Sequence, residues 1–399
     1  MVSSLTRHFG LENLELVEDI VQETLLKALQ QWPYRGIPEN PEGWLCQVAK
    51  NHALDVLRRQ ANLQKKLAGN PGIWEPEQLP AEYEVFDHLL GDDQLSMMFI
   101  GCHPGLSRAS QVTLLLKTVG GFNVAEISQA FLLPEPTIAQ RLVRAKNKLR
   151  AEQVPFVLPL ESELVHRLDT VLEVLYLIFN EGYEAHLGDS LIRKELCHEA
   201  IHLCKTIANH RLGKTPEVHA LLALMLLQAS RLPARTDADG NLILLSEQHR
   251  AAWDHRMIRE GVYYLELSAQ GDKLTPYHLQ AGIAARHAAA KDYESTDWTG
   301  ILEDYDVLCE IAPSPVILLN HAVALAMVQG AEKGLQVLLK LKDQPSLRKY
   351  HLLYATIGEL YERCGEFRSA ASSYRQALKL ASNAVERRFL EKKHKQATL

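Results

Sequence analysis

Cations gather in two short stretches of this sequence, and a third stretch carries paired imidazoles. Residues 137–150 hold Arg141, Arg144, Lys146, Lys148 and Arg150 with no acid among them. Residues 50–66 hold Lys50, Arg58, Arg59, Lys65 and Lys66 against the single acid Asp55. Between them, residues 75–93 carry seven acids (Glu75, Glu77, Glu82, Glu84, Asp87, Asp92 and Asp93) and no Lys or Arg. The formal net charge of −6, taken whole, argues against a nucleic-acid partner. Local distribution is the better test, and two basic patches flanking an acidic stretch fit phosphate-rich ligands.

The segment 123–150 shows what could position the first patch. Val124 to Ala130 reads as a short helix, Phe131 to Pro136 as a turn and Thr137 to Arg150 as a second helix. Thr137 and Gln140 have the spacing of a capping box at its start. At about 100° per residue, Ile138, Leu142, Ala145 and Leu149 share one narrow face. Thr137, Gln140, Arg141, Arg144 and Lys148 cluster on another. The apolar face can pack on the first helix while the basic face points outward. A second helix of this kind fits the major groove with its early residues at base edges. Arg141 and Arg144 could then donate to guanine acceptors or phosphates, and Gln140 could read adenine. A plain solvated amphipathic helix explains the charges alone; it does not explain turn, cap and charge asymmetry together.

Upstream, apolar spacing predicts a helix over Leu14–Gln31, with Val17, Ile20, Val21, Leu25 and Ala28 inward and Trp32-Pro33 ending it. A second begins at Asn40-Pro41-Glu42, an Asn cap followed by Pro at the first helical position, and runs to about Arg59. Acids at Glu18, Asp19 and Glu23 suit a basic protein surface, and Arg58-Arg59 suit phosphates. Trp44 could hold an unstacked base, or pack in the core. The Gly- and Pro-containing run 68–81 reads as linker. No convincing period-two strand occurs anywhere, so the fold class is all-α.

From about residue 160 the chain is helix after helix. Tyr354, Gly358, Tyr361, Gly365, Phe367, Ala370, Tyr374 and Ala377 fit the tetratricopeptide pattern. Gly330 precedes Gly365 by 35 residues, near the 34-residue period, and Pro313 closes an earlier unit containing Tyr305 and Leu308. Such units bury their faces only by stacking, which predicts a TPR-like α-solenoid over 160–399.

His198-Glu199-Ala200-Ile201-His202 satisfies H-E-x-x-H, in which two imidazoles hold zinc and the Glu activates water. On the wheel both histidines point away from the stripe of Leu196, Ala200, Leu203 and Ile207, and position 208 is Ala. A zinc hydrolase is therefore a remote alternative; no metal, cofactor or catalytic residue is expected. Asp237-Ala238-Asp239-Gly240-Asn241 reads as an Asp-Gly turn rather than a calcium loop, and Cys102-His103-Pro104 as a helix end. Six cysteines without a C-x-x-C pair read as reduced, mostly buried thiols of a cytoplasmic protein. The longest apolar run, Leu221 to Leu227, is too short for a bilayer, and the first residues lack a signal peptide's apolar core.

The run Thr137 to Arg150 resembles region 4.2 of extracytoplasmic-function (ECF) sigma factors, with Glu126-Ile127 matching the preceding helix and Ala139 standing where the family usually has a basic residue. Glu18-Asp19-Ile20-Val21-Gln22-Glu23-Thr24 resembles region 2.2, and Trp44-Leu45, Ala49-Lys50-Asn51, Asp55 and Leu57-Arg58-Arg59 resemble regions 2.3 and 2.4. Leu175 to Tyr183, Trp253-Asp254 and Leu319 to Ala324 resemble the ECF subgroup with a TPR-like extension in place of a separate anti-sigma factor.

The resemblance implies four segments: sigma region 2 over 1–62, an acidic linker over 63–91 that threads the polymerase channel, a region 4 helix-turn-helix over 92–152, and the extension. It implies a chain that starts inside region 2.1, and partners that are core RNA polymerase, promoter DNA and a protein or signal gripped by the solenoid, with no membrane. Region 4 would read the −35 element through Thr137, Gln140, Arg141, Arg144 and Lys148. Region 2 would melt the −10 element through Trp44, Lys50, Asn51, Arg58 and Arg59, and bind polymerase through Glu18, Asp19, Gln22 and Glu23. A helix-turn-helix activator with TPR repeats, acting beside another sigma factor, is the alternative.

Overall fold

In the computed structural model, which describes residues 1–67, 92–345 and 347–398, every named element is a helix. Among the described residues extended pairing is limited to one isolated antiparallel bridge, Thr236 with Leu242. The fold is all-α. Most of the acidic segment 63–91 lies outside the described residues. Contacts divide the chain into two units, one of Met1–Ile127 with Pro134–Val174, the other of Ser128–Leu133 with Leu175–Leu399.

The first unit opens with α1 (Val2–Phe9), α2 (Leu14–Arg35) and α3 (Pro41–Leu67). Leu5, Val17, Ile20, Val21, Ala49 and Ala53 from these three helices form its first core. Asn40 caps α3 as expected, its Oδ1 accepting from Gly43 N at 2.9 Å. Two boundaries differ from the sequence reading. Pro33 does not end α2: sitting in the last turn it costs a single backbone bond, and the chain leaves the helix at Gly36, whose φ of 81° side chains resist. Nor does α3 stop at Arg59, since backbone helicity continues to Leu67.

Four helices follow, α4 (Asp93–Gly101), α5 (Arg108–Thr118), α6 (Val124–Phe131) and α7 (Glu135–Ala151). Asp92 caps α4 and Ser107 caps α5, each accepting first-turn amides through its side chain. The next helix, α8 (Glu161–Tyr183), contributes to both units. Within the first, Arg167 donates to Phe99 O at 2.9 Å, Arg108 pairs with Glu173 at 2.7 Å, and Leu164, Leu168, Val171 and Leu172 are buried.

The second unit continues through α9 (Lys194–Asn209), α10 (Pro216–Ala229), α11 (His255–Ser268), α12 (Pro276–Ala289), α13 (Trp298–Ile311), α14 (Pro315–Gln329), α15 (Ala331–Leu341), α16 (His351–Arg363), α17 (Phe367–Leu380) and α18 (Ala384–Gln396). From α9 onward each helix packs on the next, the order of a solenoid. Thr215-Pro216, Thr275-Pro276 and Ser314-Pro315 each set a hydroxyl residue before Pro at the first helical position, which starts α10, α12 and α14. A Cβ on Gly358 would come within 2.7 Å of the fully buried Tyr374 ring, so this glycine lets α16 and α17 close together. One repeat earlier the small contact has moved to the second helix, where Gly334 meets Ala322 and Ala326.

Candidate nucleic-acid interface

The helix-turn-helix is α6 and α7. Its first helix starts with a reciprocal cap, Asn123 Oδ1 accepting from Glu126 N at 2.9 Å and Glu126 Oε2 from Asn123 N at 2.7 Å. The box expected at Thr137 and Gln140 does not form. Instead α7 starts two residues earlier, with Pro134 as its cap residue and Pro136 inside the first turn. Proline's fixed φ suits that turn and its missing N–H is no loss there, so the start moves forward and Thr137 becomes helical.

The buried seam of α7 is Ile138, Leu142, Ala145 and Leu149, the four residues the wheel selected. Thr137, Gln140, Arg144 and Lys148 are exposed on the other side. Arg141 is half-buried and donates to Thr113 Oγ1 on α5 at 3.2 Å. Two further cations of the helix turn to α2 and the segment before it. Lys146 Nζ pairs with Glu18, both side chains mostly buried at 14% and 18% exposure. Arg150 reaches Glu15 at 2.6 Å and Glu12 O at 3.4 Å. Glu18 is therefore held within the chain, whereas Asp19, Gln22 and Glu23 stand exposed on α2, with Glu23 3.4 Å from His52.

On α3, Trp44 is half-buried and packs edge-on against Trp32, ring centres 5.6 Å apart. Lys50, Asn51, Arg58 and Arg59 are exposed; Gln47 donates to Asn51 Oδ1 at 3.0 Å, and Arg58 lies 4.0 Å from Asp55. The sequence reading missed an apolar patch. Leu25, expected inward, is 38% exposed and joins Leu26 and Leu29 on the outer side of α2, with Tyr34 and Ile37 beyond. Their spacing of three and four residues is the signal that could have found it.

Other motifs fall elsewhere. His198 and His202 are exposed on α9, whose buried side is Cys197, Ala200, Leu203, Cys204 and Ile207. Asp237 accepts from the amides of Asp239 and Asn241, and Gly240 takes φ 76°, a turn as read. Three of the six cysteines are buried, fewer than expected; burial pushes Cys102 and Cys197 up to about 12, and Cys46 is exposed. No helix among the described residues is long and apolar enough to cross a membrane.

Residues 1–63 match the sigma-70 region 2 family, and residues 167–269 match a family of unknown function, DUF6596. An uncharacterised protein of Rhizobium meliloti is 36% identical over 98% of this chain and 91% of its own length. The ECF RNA polymerase sigma factor SigL of Mycobacterium tuberculosis is 32% identical over 33% of this chain and 72% of its own. Yeast Tom70 overlaps 99% of the chain and 84% of its own with 11% identity, at a TM-score of 0.33 that supports no structural inference. Likeness to SigL over most of that protein, together with the region 2 match, places this chain in the ECF sigma-70 family, with a C-terminal extension that contains the domain of unknown function.

Proposed function

We propose that the chain binds core RNA polymerase and directs promoter-specific initiation in the cytoplasm, reading −35 DNA with α7 and opening the −10 region with α3. The observation that carries this reading is the exposed row Thr137, Gln140, Arg144 and Lys148, set opposite a buried seam on the second helix of a helix-turn-helix. Arg144 has the reach for a guanine edge or phosphate, and Lys148 for a phosphate. Arg141, drawn toward Thr113, serves the DNA after changing partner. Asp19, Gln22 and Glu23 dock on polymerase, with Leu25, Leu26 and Leu29 supplying the apolar contact. Trp44, Lys50, Asn51, Arg58 and Arg59 hold the opened strand.

The −35 and −10 elements lie roughly 25 base pairs apart by name, about 85 Å of duplex at 3.4 Å per step. A chain with Lys146 on Glu18 and Arg150 on Glu15 cannot span both, so these pairs open when promoter and polymerase are engaged. The C-terminal extension, which no catalytic role requires, regulates that engagement.

In vitro transcription with purified core polymerase and no other sigma factor tests the reading. Promoter-specific starts are expected, and Arg144→Ala should weaken −35 binding by ~1–3 kcal/mol. Transcripts that need a second sigma factor would make the protein an activator instead.

A further inference from the structure

The second unit contains a cavity of about 470 Å³, within the roughly 300–1,000 Å³ usual for small-molecule sites. Asn180, Gln280 and Asn320 line it beside apolar residues such as Ile283, and four charged residues, Glu181, Glu184, Arg231 and Glu386, face it. Two carboxylates have cationic partners, Glu181 with Arg193 at 3.8 Å and Glu184 with Arg235 at 3.8 Å, and Glu386 Oε2 lies 3.0 Å from His351 Nε2 without a hydrogen bond between them. Arg231 Nε is buried without an acceptor, and the guanidinium sits 5.3 Å from the centre of the Trp253 ring.

A second guanidinium, Arg250, lies 4.7 Å from the same ring. It gives one N–H to Thr296 Oγ1 at 3.0 Å, and its Nε and Nη1 are buried and unpartnered. The neighbouring Trp253 Nε1, His287 Nδ1 and Trp298 Nε1 are also buried without partners. Burial, with Arg231 and Arg250 adding to it, pushes His287 down to about 3, so the imidazole is neutral and adds no third cation. Glu184 acts on Arg231, and Asp292 and Glu294 act on Arg250, but none of them accepts from the buried guanidinium N–H groups, and a buried charged donor without an acceptor is costly.

We propose that this cavity binds a small organic oxyanion, a phosphate or carboxylate, with its charged group on Arg231 and its polar remainder on the surrounding amides. Arg250 adds charge behind the indole. A planar guanidinium suits either anion because it offers two parallel donors. Three lining residues, Gln129, Ala130 and Leu132, come from the end of α6 and the turn after it, and the rest from Tyr176 onward.

The test is calorimetric titration of the full chain with inorganic phosphate and with citrate, at ionic strength matched by chloride, and without DNA or polymerase. Saturable binding of at least one probe is expected, with a higher thermal midpoint. Arg231→Met should weaken it about tenfold or more, while leaving the midpoint without probe little changed, because the variant removes a buried donor that has no acceptor along with the charge near Glu184. Arg231→Lys, which keeps the charge and loses the fork, should bind with intermediate affinity and decides the matter if Arg231→Met does not fold. Absence of saturable binding to both probes overturns the site, as does equal binding by the Arg231 variants. An equal loss of midpoint with and without probe would make Arg231 a packing residue on Trp253.

Discussion

The two units treat their cations differently. On α7 of the first unit, Lys146 and Arg150 rest on carboxylates of α2, while exposed Lys148 lies 3.7 Å from Glu152 and Arg144 stands in solvent, where partners exchange at little cost. In the second, Arg231 and Arg250 sit against Trp253 with buried donors unpartnered. Solvated cations can be lent to DNA and recovered; enclosed ones wait for a ligand that fits. The two proposals thus give one residue type two uses, an open surface for a polymer and a cavity for a small molecule.

The contrast can be broken in four places. Leu142→Ala empties the seam under the reading face and should cost ~2–5 kcal/mol of stability by urea unfolding, with promoter binding lost alongside. Lys146→Met leaves the mostly buried Glu18 carboxylate alone and should cost about 1–3 kcal/mol; adding Glu18→Gln should recover much of it if the pair is the cause. His287 sharpens the other side. Its folded value of about 3 lies below its unfolded one near 6.5, so its stabilisation is complete above 6.5 and lost as pH falls toward about 3. The slope there should be up to ~1.4 kcal/mol per pH unit, and His287→Gln should flatten it. Arg150→Ala, on an exposed pair, should change stability by only ~0.2–1 kcal/mol; a loss as large as that of Lys146→Met would erase the distinction.

Helix content, the seam of α7 and the glycine contact at Gly358 were legible because each rests on local spacing. Ile138, Leu142, Ala145 and Leu149 recur at helical period, and burial followed period. Boundaries were harder, because a cap is chosen among competing starts: Pro134 and Pro136 outbid Thr137, and the reciprocal cap lies at Asn123 and Glu126. The clasp of Lys146 on Glu18, residues 128 apart in sequence, carries no local signal. Neither does the approach of Arg231 to Trp253, which brings the end of α10 against the turn that carries Arg250 and Trp253. Leu25 was assigned to the wrong side because a 22-residue helix has two apolar rows, and spacing does not say which one finds a protein core.

The single helix α8 has an engineering consequence. Its first half, through Val174, belongs to the sigma unit's own core, and Leu175 begins the other unit. A chimaera spliced at residue 160 would take Leu164, Leu168, Val171 and Leu172 from the donor sequence and set them against a foreign lining. Exchange of extensions between relatives should therefore place its junction after Val174, with the helical register carried across unbroken.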